Sequence, residues 1–284
     1  AQARTMRYRT FLRGLLTLLT MSVAALVLGH TWLQTGQGKR WLADWIEAVV
    51  STAESRLEIG ALGGTLPFAP VATGVSLSDA TGSWLTVDRA AVRLDPMALI
   101  ARVARFESIE VGRLAVMRLP QVADTGTEAR PAASFSWPAL PVSLRIDRFG
   151  VAEVALGAPI LGEPAQLSID AAAKLGDPTD GLSLELAISR ADDSTGSLNA
   201  RMRYVPATAR LAMTLRVDEP EGGILARLMA LPGLPALNID FSGDGVLDDW
   251  QGELKVDGGD DLQLEAPTAI TAEDTGHRVM VDAK

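Results

Sequence analysis

Leu182-Ser183-Leu184-Glu185-Leu186-Ala187-Ile188-Ser189 alternates large apolar side chains with polar or small ones at every step. In an extended chain successive side chains point to opposite faces, so this stretch collects its leucines and isoleucine on one side of a strand. The same period of two continues on both sides of it. Upstream, Val142, Leu144 and Ile146 alternate with Ser143, Arg145 and Asp147, and Leu167, Ile169, Ala171, Ala173 and Leu175 form a second series. Downstream the series are Leu198, Ala200, Met202 and Tyr204, then Leu211, Met213, Leu215 and Val217, then Leu237, Ile239 and Phe241. Trp250, Leu254 and Val256, and finally Leu262 and Leu264, complete the pattern. Turn residues separate the runs at Gly176-Asp177-Pro178, Asp192-Asp193-Ser194-Thr195-Gly196 and Asp257-Gly258-Gly259-Asp260, and Gly243-Asp244-Gly245 reads as a further turn. One interruption, Gly222–Leu231, reads as a short helix ended by Pro232. Strands at even spacing with turn signals between them predict an antiparallel meander.

Residues 56–120 share the period of two but keep it less regularly. Val71, Thr73, Val75 and Leu77 hold one phase, whereas Leu85 and Val87 are out of phase with Val92 and Leu94. A β-bulge near Arg89–Ala91 is the expected cause. Asp95-Pro96 opens a short helix, with Asp95 as N-cap and Leu99, Ile100 and Val103 as its apolar stripe. Two strands are expected after it, Phe106–Val111 and Arg113–Leu119. Residues 121–141, rich in Pro, Ala, Ser and Thr, read as a linker between a first β segment (56–120) and a second one (142–284).

The N-terminal residues follow a different rule. Gly14 to Gly38 contain no Asp, Glu, Lys or Arg, and the apolar run Leu15–Leu33 is long enough to cross roughly 30 Å of hydrocarbon as a helix. Arg4, Arg7, Arg9 and Arg13 precede the run, Lys39 and Arg40 follow it, and Trp32 sits near its far end, where indole rings favour the membrane interface. The expected arrangement is a cytoplasmic segment 1–13, a single-pass anchor 14–35 and the bulk of the chain across the membrane. A cleaved signal peptide fits less well, because Gly29-His30-Thr31-Trp32 is a poor exit sequence. A buried helix of a soluble domain fits less well again, with four arginines at its border. Gly36 and Gly38 are expected to break this helix before a second, amphipathic one within 36–55. There Trp41, Leu42, Trp45, Ile46, Val49 and Val50 recur at helical spacing. That helix either lies at the membrane surface or caps the end of the sheet, or is an ordinary packed helix. Arg9, Arg13, Trp32, Trp41 and Trp45 are the expected interface residues.

Composition narrows the function classes. Residues 1–40 carry six Lys/Arg and no acid, while the remainder has 20 basic and 35 acidic residues, a net −15. Such a body repels phosphate backbones, which argues against a nucleic-acid partner. Without cysteine there are neither disulfides nor thiolate metal sites. The chain contains no P-loop and no nucleophile elbow, and its two histidines, His30 and His277, lie at opposite ends. Asp257–Asp261 lacks the ligand spacing of a calcium loop and reads as a solvated turn. No catalytic, metal or cofactor site is therefore expected, and the chain is not expected to be an enzyme. Its start at Ala1 and its end at Lys284, straight after a strand-like segment, suggest a piece of a longer protein.

The strands' apolar face then needs a cover. Burying each large apolar side chain contributes about 1.5–3 kcal/mol, so the face is expected to meet a second sheet, to curl over itself or to hold a greasy ligand. A sandwich and an apolar trough are both consistent with the pattern. In the second case the lining residues are Val142, Leu144, Ile146, Leu167, Ile169, Leu182, Leu184, Leu186, Ile188, Leu198, Met202, Leu211, Met213, Leu215, Leu237, Ile239, Phe241 and Leu254. Each methylene that such a trough takes out of water contributes about 0.8 kcal/mol.

Several short segments, in order, resemble the N-terminal part of the TamB family of translocation and assembly module subunits, within the AsmA-like group. They are Gln37-Gly38-Lys39-Arg40-Trp41-Leu42, Leu62-Gly63-Gly64-Thr65-Leu66-Pro67, Ser83-Trp84-Leu85-Thr86-Val87-Asp88 and Leu94-Asp95-Pro96-Met97-Ala98-Leu99. After the Pro-rich break come Leu144-Arg145-Ile146-Asp147-Arg148, Glu221–Leu228 with Leu231-Pro232-Gly233-Leu234-Pro235, and Ser242–Trp250. The resemblance implies a mainly β fold: an N-terminal transmembrane helix and short amphipathic helix, then an antiparallel meander curled into an elongated β-taco or groove with an apolar interior. It also implies an inner-membrane protein with its bulk in a bacterial periplasm, engaged in phospholipid transport toward the outer membrane, in assembly and secretion of outer-membrane proteins and autotransporters, or in both. A scaffold that pairs with client strands for outer-membrane protein assembly, without lipid transport, is the alternative. The family's outer-membrane barrel partner, of TamA type, is engaged through a C-terminal region outside these residues.

Overall fold

The computed structural model of the protein describes residues 20–21, 24–25, 27–52, 54–120, 142–192, 195–259, 262–273 and 276–281. Segments 1–13 and 121–141, with Arg9 and Arg13, lie outside the described residues, as do residues 15–19, 22, 23 and 26 of the apolar run. Among the described residues no helix is long and apolar enough to cross a membrane.

Thirteen strands form one sheet in strict sequence order. They are β1 (Arg56–Thr65), β2 (Ala69–Asp79), β3 (Gly82–Asp95), β4 (Val103–Val116), β5 (Ser143–Leu156), β6 (Ala165–Leu175) and β7 (Leu182–Arg190). The series continues through β8 (Ser197–Val205), β9 (Arg210–Glu219), β10 (Leu237–Val246), β11 (Asp249–Asp257), β12 (Gln263–Glu273) and β13 (Gly276–Val281). No second sheet covers it among the described residues. Every pairing is antiparallel except β4 with β5, which run parallel at a constant offset from Val103↔Ser143 to Val116↔Leu156. The meander expected from periodicity is thus broken at one joint. The chain leaves the bottom of β4 and must return to the top to begin β5, and a parallel return needs a connection of a dozen residues or more. The Pro-rich stretch supplies that length, so it joins two parts of one continuous sheet.

Two rims result. The upper rim carries the β1–β2, β3–β4, β6–β7, β8–β9 and β10–β11 turns. The lower rim carries the β2–β3, β5–β6, β7–β8 and β9–β10 connections. Helix α1 (Gly36–Val50) runs along the free edge of β1 from the upper rim to the lower. At its start the Gln34 carboxamide brackets Leu66, donating to its carbonyl (2.6 Å) and accepting its N–H (3.2 Å). At its end Glu47 accepts the Ile59 N–H (2.6 Å) and Ser51 Oγ accepts the Leu57 N–H (3.0 Å). These are outward-facing donors of an edge strand, which would otherwise be open to pairing with another chain. The preceding helix ends at Gln34–Thr35, where the Thr35 hydroxyl caps the Gly38 N–H (3.1 Å). It does not end at the glycines, which lie inside α1. Gly38 is needed for another reason: a Cβ there would fall 2.3 Å from the Trp32 carbonyl.

The phase slip in β3 has a cause different from a bulge near Arg89–Ala91. The β3–β4 register is unbroken from Val87↔Leu114 to Ala90↔Val111, because both strands slip at the same level, and the Asp88 carboxylate takes the Arg113 N–H (2.7 Å). β4 is one strand where two were expected. Asp95 does cap the next turn, accepting the Met97 and Ala98 N–H groups, but that turn is a single 3-10 turn, Ala98–Ala101, whose Leu99 and Ile100 are exposed. Gly243-Asp244-Gly245 lies inside β10. The helix expected at Gly222–Leu231 shortens to α3 (Ile224–Leu228), since Gly222 and Ala230 adopt positive φ on either side. A further turn of helix, α2 (Ala158–Leu161), sits in the β5–β6 connection. Six buried apolar residues (Val151, Val154, Ala165, Val217, Ala226 and Leu237) cluster at the lower ends of β5–β10 and in α3.

The parallel joint has its own polar brace. Arg105 of β4 donates to Asp147 of β5 (2.7 Å) and also faces Asp95 (3.6 Å). A hydrogen bond from Arg145, opposed by partial burial and reinforced by Arg105, holds the Asp147 carboxyl below the usual carboxylate range. A lowered folded-state value means that the brace contributes fully above about pH 4 and is lost as the pH falls through the lowered value. Asp147→Asn is therefore expected to lower the unfolding temperature at neutral pH, with the difference from wild type shrinking as the medium is acidified below about pH 3. Thermal unfolding across that range reads it, and a pH-independent difference would remove Asp147 as the brace.

Candidate apolar ligand face

Register decides which side chains share a face. Following the paired residues from strand to strand gives unbroken ladders perpendicular to the strands. One runs Ala90–Val111–Val151–Ile169–Ile188–Leu198–Val217–Ile239–Val256–Leu264. The next runs Val92–Ile109–Phe149–Ala171–Leu186–Ala200–Leu215–Phe241–Leu254–Ala266. The third passes through Leu94, Phe106, Ile146, Ala173, Leu184, Met202, Met213, Gly243, Gly252 and Thr268. The fourth passes through Leu144, Leu175, Leu182, Tyr204, Leu211, Gly245, Trp250 and Ile270. None contains Asp, Glu, Lys or Arg. From β3 to β12 a ladder crosses nine strand spacings, roughly 43 Å.

Continuity across β3–β6 depends on matched irregularities. β5, with 14 residues, faces β6, with 11, and its register shifts between Ile146 and Phe149 and again between Val151 and Val154. β4 slips at the same two levels, so the pairs Phe106↔Ile146, Ile109↔Phe149, Val111↔Val151 and Leu114↔Val154 all stay apolar. Periodicity alone missed Phe149, Val151 and Val154 because each slip reverses the parity. Of the residues expected to line a trough, Leu237 is fully buried at 1% exposure and the other seventeen are half-buried. Fifteen of the eighteen lie in these four ladders. Leu167 continues the same phase below them (Val154↔Leu167), Leu237 stands opposite Glu219, and Val142 of the eighteen precedes β5, so the count within the ladders excludes only end positions.

Trp250 is the largest anchor of the face. It is 3% exposed, its indole N–H donates to the Leu211 carbonyl (2.9 Å), and its ring lies 5.9 Å from that of Phe241. The ring occupies the space above Gly243 and Gly252, where a Cβ would meet it at 2.1 and 2.6 Å. The glycines are therefore strand residues whose missing side chains make room for an indole, an arrangement that also protects weak strand positions.

Charge begins where the ladders end. Arg190, opposite Leu167, and Glu219, opposite Leu237, hold the apolar phase at the lower rim. Each is neutralised locally: Arg190 by Asp192 (2.7 Å), Glu219 by the N–H groups of Ile224 and Leu225 at the start of α3. The opposite face is charged and solvated, with cross-strand pairs Arg216–Asp240 (2.7 Å), Arg210–Asp244 (2.7 Å) and Lys255–Glu265 (2.8 Å). The Arg210 hydrogen bond lowers the Asp244 carboxyl, and Lys255 lowers that of Glu265. Two clefts lie on this polar side, of about 790 and 570 Å³; the first is lined by Lys174, Glu185, Arg201, Arg203 and Asp244 among others. Exposed ion pairs contribute little to stability, so this face reads as a solvated surface.

Of the expected interface residues, Trp32, Trp41 and Trp45 are exposed, the last two at 53%. Trp41, Trp45 and Val49 form a stripe on the side of α1 away from β1, and the Trp32 ring is 5.6 Å from that of Trp41. Thus α1 covers the sheet edge with Ala43 and its neighbours and presents aromatic surface outward. Among the described residues no three His, Asp or Glu side chains are grouped as a metal site requires. Comparison with protein-family models, with curated proteins and with solved structures returns no match for this chain.

Gly243→Val should destabilise the protein by about 1–3 kcal/mol by driving its side chain into the Trp250 ring. Denaturant unfolding with Trp250 fluorescence measures it. An unchanged midpoint would show that the indole does not pack on Gly243.

Proposed function

We propose that this chain is a membrane-anchored β-groove protein of the TamB type, in which the sheet curls about its uncharged ladders and carries the hydrocarbon chains of phospholipids. The observation that carries this reading is the four-ladder face: free of charged side chains over ten strands, mostly half-buried, and without a second sheet to cover it among the described residues. Large apolar surfaces left unpaired on soluble proteins are uncommon and mark sites of contact with lipid, ligand or protein. An ion pair between Arg227 in the β9–β10 connection and Glu163 in the β5–β6 connection (3.1 Å) favours a concave apolar side. These connections are four strand spacings apart, roughly 19 Å along a flat sheet. The apolar run Leu15–Leu33 and the outward tryptophans of α1 favour attachment to a bilayer, with the β1 end nearest to it. The bacterial inner membrane, the periplasmic location and an outer-membrane barrel partner rest on the family resemblance.

A second reading is a scaffold that adds client strands to its sheet during outer-membrane protein assembly. The structure bears on where that could happen. Because α1 occupies the outward donors of β1, that edge is closed to client strands. On this reading a proline in the edge strand that receives the client would impair client assembly and leave lipid uptake intact.

Binding of a phospholipid with an environment-sensitive fluorophore on its acyl chain tests the leading reading. Wild-type protein should enhance the emission, and Leu184→Asp and Met213→Asp, which place a carboxylate in the third ladder, should each weaken binding at least about tenfold, equivalent to 1.4 kcal/mol. Circular dichroism checks that the strands persist. Folded variants that bind as wild type would refute the conduit.

A further inference from the structure

The first ladder is roofed at one place. Ile224 and Leu225 of α3 stand over Leu167, Ile188, Leu198 and Val217, and the space between them is a cleft of about 160 Å³. The roof is fixed at both ends. Glu219 accepts the N–H groups of Ile224 and Leu225, and only glycine fits at 223, where a Cβ would lie 2.1 Å from Glu219. At the other end Arg227 donates to the Gly222 carbonyl (2.8 Å) and pairs with Glu163 (3.1 Å). The charges of the apolar phase at the margin are already taken, Arg190 by Asp192 and Glu219 by α3. An enclosed apolar cavity of nearly this size, about 150 Å³ in another protein, stays dry and admits a small hydrocarbon. The cleft suits a stretch of alkyl chain and is too small and too apolar for a headgroup. It also has an apolar approach, because Ile188 and Leu198 belong both to the cleft and to the open ladder.

We infer that the cleft under α3 is a chain-end pocket, holding the terminal segment of one acyl chain whose remainder lies across the open ladders. This rests on the hydrocarbon-binding reading above, and adds a fixed site and polarity to it: tail end at the lower rim, ester end toward Leu184 and Met213. Two photoreactive phosphatidylethanolamines test it on the purified full chain, one with a diazirine at the acyl terminus and one with a diazirine next to the ester. Peptide mass spectrometry after irradiation should find terminal-probe adducts on Ile224 and Leu225 enriched several-fold over ester-probe adducts, with the reverse bias at Leu184 and Met213. Leu198→Phe, which fills the cleft, should abolish the α3 adducts of the terminal probe and preserve the ester-probe adducts. Equal labelling of α3 by the two probes, or α3 labelling that survives Leu198→Phe in a folded protein, would overturn the pocket while leaving the conduit intact. Absence of adducts anywhere on the ladders would overturn both.

Discussion

Cross-strand register is the constraint on which the rest depends. A shift of one residue in any strand would exchange its two faces, placing charges such as Glu185 or Arg201 among the leucines. The uncharged ladders survive over ten strands because every register from β6 to β12 is regular, because β4 and β5 slip at the same two levels, and because β3 slips with them at one and shifts register between Arg93 and Leu94 at the other. The parallel β4–β5 joint is the demanding step, since two irregular strands must meet without losing phase. Its constant offset and the Arg105–Asp147 brace are the local means of meeting that demand.

How far the structure was legible in the sequence follows from the same constraint. In β6–β9 strict alternation made the strands, their order and the lining side readable, because one local rule governs the whole segment. Where two strands slip together, as at Asp88–Arg89 with Gly112–Arg113, the parity change reads as a bulge or a strand break, and only the partner's matching slip reveals one continuous strand. Gly243 and Gly245 misled for a related reason. A glycine within a strand looks like a turn until the side chain that fills its space, Trp250, is seen over it. The roof of α3 was readable only as a helix near Gly222–Leu231. Its position depends on Glu219, whose role as a cap for the Ile224 and Leu225 N–H groups has no periodic signature.

The closed β1 edge connects fold to the proposed role. The β1 edge is closed by α1, whose inner side satisfies strand donors and whose outer side offers Trp41, Trp45 and Val49. One helix thereby blocks unwanted strand pairing and presents an aromatic surface suited to a bilayer interface. The ladders start two strands beyond this edge and lead away from it. In the proposed conduit, hydrocarbon leaving the membrane would meet a surface on which each step along a ladder exchanges one apolar contact for another of similar strength. Movement along such a surface needs no charged group to be desolvated.

The most direct measurement is native mass spectrometry of the protein extracted in mild detergent. If the ladders hold hydrocarbon, the protein mass is accompanied by discrete adducts of phospholipid mass, and these are lost when the third ladder carries a carboxylate. A spectrum of bare protein only, under conditions that keep the sheet folded, would contradict the account.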